Sequence, residues 1–430
     1  MTEPTTFDLS ITRLGAQGDG VTTLPDGRTV YVGATAPGDC VRLALEAKEG
    51  DGLRGRLVEL LAPGPGRGTP PCPHFGTCGG CALQHLSLDA YRDWKRGLLI
   101  DALARNAVDA GEIAPLAMVS NATRRRGTFF AAKAGGRVTA GFHERGSHRI
   151  AAIESCIVLA PQLVTLVERL KPLMADLLAD GERGEIVVNL LDTGLDALVR
   201  LPHAADLRVR QRLARFAKEA DLARVSVAVA GGRARGAHAD VVVERRPALA
   251  TFGGAHVPVP PGAFLQASAE AEALLVAEVK AAVDGAKKVA DLFAGAGTFA
   301  FALAAERIAV HAVEGERELA LALKAGAGKA GLGPRISTEV RDLFRRPLLA
   351  DELKKFDAVV FDPPRAGAKA QAEALAKSKV ARVVGVSCNP ASFARDARAL
   401  QDGGFRVTRV VPVDQFLWTQ HLEVVSTFVR

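Results

Sequence analysis

Long apolar runs are absent from this chain of 430 residues, and so is a strong excess of one charge. No stretch approaches the roughly 18 to 20 apolar residues that cross a bilayer, so we expect no membrane segment. The first ten residues, MTEPTTFDLS, lack a basic stretch followed by an apolar core, so we expect no secretory signal. A balance of 55 Lys and Arg against 48 Asp and Glu excludes an acidic disordered protein. The sequence predicts a soluble, cytoplasmic protein.

Cysteine is also scarce, since six residues in a chain without a leader argue against a disulfide framework and favour metal binding or catalysis. Cys72, Cys78 and Cys81 lie in PCPHFGTCGGC, where glycines let a tight C-x5-C-x2-C loop turn three thiolates towards one metal centre. Cys156 is the candidate fourth ligand, because the other two cysteines lie in a β-rich N-terminal region and at a strand end with another use. The spacing leaves both a zinc site and an iron–sulfur cluster open.

The pattern of apolar residues divides the chain, whose length corresponds to two to four domains of roughly 100–200 residues. Short alternating strands predict a small N-terminal β-barrel, followed by a Pro/Gly-rich linker over 62–73. Apolar residues at helical spacing predict a helix over 87–106. Helices that alternate with apolar strands predict a doubly wound parallel sheet at the C-terminus. We therefore predict a multidomain α/β protein, with a β-barrel over 1–63, an α+β domain over 64–262 and a Rossmann-like domain over 263–430.

Positive charge is concentrated in residues 121–149, which carry seven Arg and Lys against the single Glu144. Arg124, Arg125 and Arg126 stand in a row there and are expected to supply long-range attraction to a polyanion, although a solvated face would look similar. Residues 1–64 carry six basic and nine acidic groups, so RNA binding by this part would depend on a few local contacts. The candidates for those contacts are Arg13, Arg54 and Arg56.

A glycine-rich loop follows a predicted strand in KKVADLFAGAGTFA. Gly295, Gly297 and Ala300 satisfy the dinucleotide fingerprint G-x-G-x-x-G/A, and Glu314 ends the next strand at the distance expected for a ribose ligand. The loop alone leaves NAD(P) and another adenosine cofactor, such as S-adenosylmethionine, both open.

Three further segments occur in the same predicted sheet: FDPPR (361–365), VSCNP (386–390) and FLWTQHLEVV (416–425). Ligands bind beyond the carboxyl ends of parallel strands, so Asp362 and Cys388 should face the cofactor cleft. A thiol at such a strand end is placed as a nucleophile, and one carboxylate could hold the substrate while a second acts as a base.

These motifs together resemble a known family. DPPRAG, VSCNP and the closing T-x-H-x-E resemble the RNA uracil-5 methyltransferases, residues 5–61 resemble the TRAM RNA-binding module, and the C-x5-C-x2-C loop resembles the [4Fe–4S] motif of that family. The set of modules is most similar to the branch that methylates 23S ribosomal RNA, because the tRNA branch is understood to lack the TRAM module and the cluster. The resemblance implies a monomer that uses S-adenosylmethionine and carries a [4Fe–4S] cluster.

The resemblance also implies a role for each matching residue. Cys388 would be the nucleophile and Glu423 the base. The residues implied for S-adenosylmethionine are Gln266, Phe293, Thr298, Glu314, Asp342 and Asp362. Those implied for the cluster are Cys72, Cys78, Cys81 and Cys156. Thr298 stands where the family often has asparagine, and Leu417-Trp418 replaces a more usual apolar-proline pair.

Uracil chemistry explains these residue types. C5 is a poor nucleophile until a thiolate adds to C6, after which C5 can accept a methyl group and lose its proton to a base. The base must leave the stack for this attack, so the implied substrate is a flipped uridine in a loop or junction of 23S ribosomal RNA. The alternatives are an NAD(P)-dependent oxidoreductase with an iron–sulfur relay and a non-enzymatic RNA-binding protein. Neither gives a use to all of the motifs.

Overall fold

The N-terminal part of the molecule is a curled antiparallel sheet with one parallel pair. The computed structural model describes residues 6–49, 52–231 and 239–430. The sheet order is β1-β5-β6-β4-β3-β2, so the two outermost strands are consecutive in the chain and the sheet curls into a barrel around Val30, Val41 and Leu43. Its strands are β1 (Thr6–Ser10), β2 (Arg13–Leu14), β3 (Gly20–Thr23), β4 (Thr29–Val32), β5 (Cys40–Glu49) and β6 (Gly52–Ala62).

The predicted linker over 62–73 is irregular but attached to the barrel. The buried Asp39 carboxylate accepts hydrogen bonds from the Gly64 N–H (2.8 Å) and forms a 2.6 Å ion pair with Arg67. Helix α1 (Leu88–Arg105) follows and confirms the predicted helix, with the Ser87 hydroxyl accepting from the Ala90 N–H at its N-cap. Two short strands come next, β7 (Glu112–Ile113) and β8 (Ala117–Met118).

The central sheet has the order β11-β10-β9-β12-β13-β14-β15 and is antiparallel except for the pair β13 and β14. Two helices cover one face of it with leucines such as Leu163, Leu170 and Leu213. A separate hairpin follows. The elements are β9 (Arg126–Ala134), β10 (Arg137–His143), β11 (Ile150–Ala152), α2 (Pro161–Leu177), β12 (Arg183–Leu191), β13 (Gly194–Leu201), α3 (Leu207–Glu219), β14 (Arg224–Val229), β15 (Asp240–Glu244), β16 (Leu249–Phe252) and β17 (Ala255–Pro258).

The C-terminal sheet is doubly wound, as the alternation of helices and strands predicts. Its order is β20-β19-β18-β21-β22-β24-β23-β7, with β18 to β22 parallel and β24 antiparallel to its neighbours. The elements are α4 (Ala269–Ala282), β18 (Lys288–Leu292), α5 (Thr298–Ala305), β19 (Ala309–Glu314), α6 (Arg317–Lys329), β20 (Ile336–Val340), α7 (Ala350–Leu353), β21 (Ala358–Phe361), α8 (Lys369–Ala376), β22 (Arg382–Ser387), α9 (Pro390–Asp402), β23 (Arg406–Asp414) and β24 (Glu423–Val429).

From β18 the chain continues to β19 and β20 on one side and then crosses back to β21 on the other side of β18. This reversal creates the crevice in which such sheets bind ligands. β7 and β8 pair with β23, and α1 packs against α9, so residues 88–118 lie against this sheet although they precede the central one. The three-domain division of the sequence stays a prediction. Within the described ranges, no helix has the length and apolar character needed to span a membrane.

Candidate active site

The cofactor loop joins β18 to α5 through backbone conformations that suit glycine. Gly295 and Gly297 have φ values of 57° and 106°, and a Cβ on Gly297 would lie 2.6 Å from the Phe301 ring. The Glu314 carboxylate accepts hydrogen bonds from the Gly295 N–H and the Glu316 N–H, both at 2.7 Å. The loop is therefore held against the end of β19, with Glu314 at the place the fingerprint predicts.

Further predicted cofactor residues follow the carboxyl ends of adjacent strands. Phe293 comes after β18 with a φ of 61°, and its ring lies 5.5 Å from that of Phe344. Asp342 lies just beyond β20, where its carboxylate accepts from the Phe344 N–H at 3.0 Å. Thr298 is the first residue of α5. Together with Glu314, these residues lie along one edge of the sheet, although their role in binding stays a prediction.

A buried polar network connects the remaining carboxylates. The Gln266 side-chain N–H donates to Asp362 (3.2 Å), while its oxygen accepts from Gln415 (2.7 Å). Gln415 also donates to Glu423 (2.6 Å) and accepts from the Ala267 N–H (2.9 Å). The motifs did not identify Gln415, because a single glutamine before a loop carries no recognisable signal. The network connects the predicted base, Glu423, to Asp362, one of the residues implied for S-adenosylmethionine.

Burial changes the protonation of these carboxyls. Loss of solvent, followed by the charge of Asp362, raises the pKa of Glu423 to about 8. Burial likewise raises the pKa of Asp362 to about 7, although the Gln266 hydrogen bond opposes this. Asp291, on β18, has its pKa raised to about 8 by burial and by nearby Asp362. Burial therefore favours the protonated forms of these carboxyls.

Cys388 directly follows β22 and opens onto a cavity of about 340 Å³. Burial, followed by the charges of Glu423 and Asp362, raises the pKa of its thiol to about 12, whereas Arg365 lowers it. Arg365 is thus the positive group near the thiol, and it also donates a 2.6 Å hydrogen bond to the His421 ring. Both residues lie in the recognised motifs, but only the structure shows that they line the cavity together. The lining residues include Ala16, Gln17, Arg105, Arg365, Cys388 and Gln420.

The structure brings the four predicted cluster cysteines together. Cys72, Cys78, Cys81 and Cys156 are free thiols that line one cavity of about 260 Å³. Burial raises the pKa of Cys78, and it raises that of Cys81 to about 12. Backbone N–H groups approach the sulfurs of Cys78 and Cys156 at 3.4 Å, as they do around bound thiolates.

A histidine connects the loop of the first three cysteines to the segment just before Cys156. His74, between the first two cysteines, accepts through its Nε2 from the Glu154 N–H (3.2 Å) and the Ser155 N–H (3.4 Å). No group of three or more His, Cys, Asp or Glu in the described ranges surrounds a single metal position. A cubane binds each cysteine at a different iron, so four thiols around a cavity fit it better than they fit one zinc ion. The [4Fe–4S] assignment stays a prediction.

The arginine row makes several contacts within the protein. Arg124 lines the cysteine cavity, and Arg125 forms a 2.6 Å ion pair with Glu272, both side chains being mostly buried. Arg126 lies over the ring of Phe264, 5.3 Å from its centroid. Two of the three arginines are therefore directed towards the protein, and long-range attraction by residues 121–149 stays a prediction.

Comparison with known proteins identifies a family to which this chain is similar. The family model described as tRNA (Uracil-5-)-methyltransferase matches residues 335–429. An uncharacterized RNA methyltransferase of Brucella suis is 43% identical over 100% of this chain and 99% of the relative. The 23S rRNA (uracil(1939)-C(5))-methyltransferase RlmD of Chromohalobacter salexigens is 36% identical over 100% of this chain and 90% of the relative.

Among solved structures, the tRNA (uracil-54, C5)-methyltransferase of Pyrococcus abyssi, in complex with S-adenosyl-L-homocysteine, shares the fold. Its TM-score is 0.75 at 23% identity, over 98% of both chains. The shared fold covers almost the whole of that tRNA enzyme, so its extent alone does not separate a tRNA substrate from a ribosomal one. Family membership supports S-adenosylmethionine as the methyl donor. The shared length, the matching model and the relatives show that the chain belongs to the RNA uracil-5 methyltransferase family.

Proposed function

We propose that this protein methylates C5 of a uridine in 23S ribosomal RNA through a covalent adduct on Cys388. The observation that carries the proposal is that Cys388, Glu423 and Asp362 meet at one sheet edge, and that Cys388 lines a cavity of about 340 Å³. The ribosomal substrate is favoured by the relative from Chromohalobacter salexigens, which is named for 23S rRNA. Such a substrate would be met in the cytoplasm, by a single chain acting as a monomer.

The chemistry follows from the residues around the cavity. The Cys388 thiolate adds to C6, and the resulting enolate has its nucleophilic carbon at C5. When bound, S-adenosylmethionine supplies the methyl group. Residues that would hold it are Gln266, Phe293, Thr298, Glu314, Asp342 and Asp362. Glu423 then takes the C5 proton, and the C6–S bond breaks so that the C5=C6 double bond and the thiolate are restored.

Arg365 helps to explain how a buried thiol could react. The thiolate is disfavoured by burial and by two carboxyls, and the Arg365 guanidinium is the group that opposes this effect. A proton retained on Asp362 would also ease formation of the thiolate, because it removes negative charge from its neighbourhood, whereas Glu423 acts as the base only in its ionised form. The same enclosure keeps water away from the adduct.

RNA would approach along a groove that joins two parts of the chain. A second cavity of about 570 Å³ is lined by Tyr31 and Arg54 of the N-terminal barrel. It shares Ala16, Gln17 and Gln420 with the Cys388 cavity. We propose that the barrel acts as the RNA-binding TRAM module and guides a single-stranded segment, while the target uridine flips into the Cys388 cavity.

The cysteine cavity is proposed to hold the [4Fe–4S] cluster in a structural role. The segment after Cys81 is hydrogen-bonded to the loop that precedes Glu423. The N–H groups of Ala82 (2.8 Å) and Leu83 (3.2 Å) donate to the Trp418 carbonyl in that loop. Leu417 lines the cavity itself. No redox step occurs in the methyl transfer, so the cluster needs no electron-transfer role.

The test is methyl transfer from labelled S-adenosylmethionine to 23S rRNA fragments, with tRNA transcripts alongside. We expect label in 5-methyluridine of 23S rRNA only, and mapping of 23S rRNA from a strain without the gene should show one missing modification. Label in tRNA alone would assign the tRNA substrate instead. NAD(P)H oxidation without methyl transfer would overturn the proposal.

A further inference from the structure

A buried ion pair lies beneath the loop that leads to Glu423. Lys95 of α1 and Asp414 at the end of β23 are both fully buried, and their charged atoms are 2.8 Å apart. Removing two charges from water is costly, and a buried pair adds little net stability over apolar residues of similar size. Such a pair is better explained by its contacts with the loop that precedes Glu423.

The pair and its neighbour hold this loop at several points. The Lys95 ammonium donates to the carbonyl of His421 and, at 3.4 Å, to that of Phe416. The Tyr91 hydroxyl donates to the second oxygen of Asp414 and accepts from the Trp418 N–H at 2.8 Å. Trp418 has a φ of 63°, a conformation that a non-glycine residue adopts only when its surroundings enforce it.

The loop over 415–422 carries side chains that contact the proposed base and the Cys388 cavity. Gln415 at its start contacts both Gln266 and Glu423, and Glu423 is the first residue after it. The His421 ring contacts Arg365 in the Cys388 cavity, while its carbonyl is held by Lys95. A shift of the loop would therefore move the proposed base relative to C5 of the bound uracil.

We propose that Lys95 is a positioning residue for the methyl-transfer reaction, acting with Tyr91 and Asp414 to hold Glu423 and His421 at the Cys388 cavity. This inference rests on the proposed function. The residues come from α1, which precedes the methyltransferase sheet by nearly two hundred residues and carries none of the family motifs described above. Their effect should fall on removal of the C5 proton, since that step alone needs Glu423 as a base.

The test uses two variants that do not leave one buried charge unpaired. Lys95→Met combined with Asp414→Asn removes both charges, and Tyr91→Phe removes only the hydroxyl while keeping the ring beside Trp418. We expect the double variant to lose roughly tenfold to hundredfold in kcat, with the KM for RNA nearly unchanged. Tyr91→Phe should show a smaller loss. In both, the fraction of RNA trapped as a denaturation-resistant adduct should rise.

Arg92→Met is the matched control, because it removes an exposed positive charge from the same helix. Its turnover and adduct fraction should equal those of the wild type. A structural role alone would lower turnover and adduct together, so an unchanged or lower adduct fraction in Tyr91→Phe would overturn the proposal, even if the double variant does not fold. If the wild type forms no 5-methyluridine, the proposed function fails rather than the role of Lys95.

Discussion

At the scale of a single residue, substitution of Cys388 tests the proposed covalent step. Its thiol is half-buried at the end of β22 and lines the cavity proposed for the target base. Cys388→Ala should abolish methyl transfer while the affinity for S-adenosylmethionine stays within a few-fold, because none of the residues proposed to hold the cofactor changes. Isothermal titration and a methylation assay measure the two effects. Measurable turnover by the alanine variant would show that another group starts the reaction.

Glu423 should fail at a later step than Cys388. Glu423→Gln keeps the side-chain shape and can still accept from Gln415, but it cannot take the C5 proton. We expect the methylated adduct to form and then persist, which a denaturing gel with labelled RNA would detect as a slowly migrating band. Cys388→Ala provides the matched negative control. Rapid turnover without an adduct would assign the base elsewhere.

The raised pKa of Glu423 has a consequence for stability. Its pKa rises from 4.5 to about 8 on folding, so above pH 4.5 the unfolded chain releases a proton that the folded protein retains. The free energy of unfolding contributed by this residue therefore falls as pH rises towards 8. Glu423→Gln removes this loss, so the Tm of the variant minus that of the wild type should increase between pH 5 and pH 8. Calorimetry would measure it, and a difference independent of pH would contradict the buried carboxyl.

At the scale of elements, the cysteine loop allows a direct test of the proposed [4Fe–4S] cluster. Protein purified without oxygen should be brown and contain about four irons per chain, as a cubane requires. Cys78→Ser should lose the iron and lower the Tm, because Leu83 and Trp418 near the cavity would lose support. Cys40→Ser is the matched control, since Cys40 lies in β5, outside the cavity. One zinc and no iron in the wild type would show that the cluster assignment is wrong.

Elements with a strong periodic pattern were predictable, and short ones were not. The apolar spacing of α1 and the alternation after Glu270 both predict what the structure shows. β7 and β8 have two residues each, which is too short for any period, and they exist only because β23 offers them an edge. Placement of α1 against the C-terminal sheet likewise depended on long-range packing.

At the scale of the whole molecule, RNA affinity should follow the groove rather than the arginine row. Arg54 lines the groove beside the barrel, and the exposed Arg105 lines the Cys388 cavity. Replacing both with Gln should flatten the slope of log affinity against log salt by about 0.7 for each phosphate that the variant no longer neutralises. Arg208→Gln removes an exposed charge that lines neither cavity and should leave the slope unchanged. Filter binding at several salt concentrations would measure this, and an equal effect of Arg208→Gln would exclude the groove.

The arginine row gives a different expectation at the same scale. Arg125→Met breaks the ion pair with Glu272 and removes the donor to the Gln266 carbonyl. Because Gln266 connects Asp362 to Gln415, the variant should bind RNA with the wild-type salt slope but turn over more slowly. A flattened slope without a decrease in kcat would restore the surface role that the sequence predicts for this row.

The sequence by itself predicted the chemistry, because the proposed nucleophile Cys388, the proposed base Glu423 and the glycine-rich loop at Gly295 lie in short local motifs. It also determined the C-terminal sheet, because helical and strand periods are local properties. Only the tertiary structure decided that Gln415 and Gln266 connect Glu423 to Asp362. It also decided that Lys95 donates to the loop before Glu423 and that Arg124 lines the cysteine cavity. These are contacts between residues distant in the chain, and their energies depend on burial and on partners that no local pattern contains.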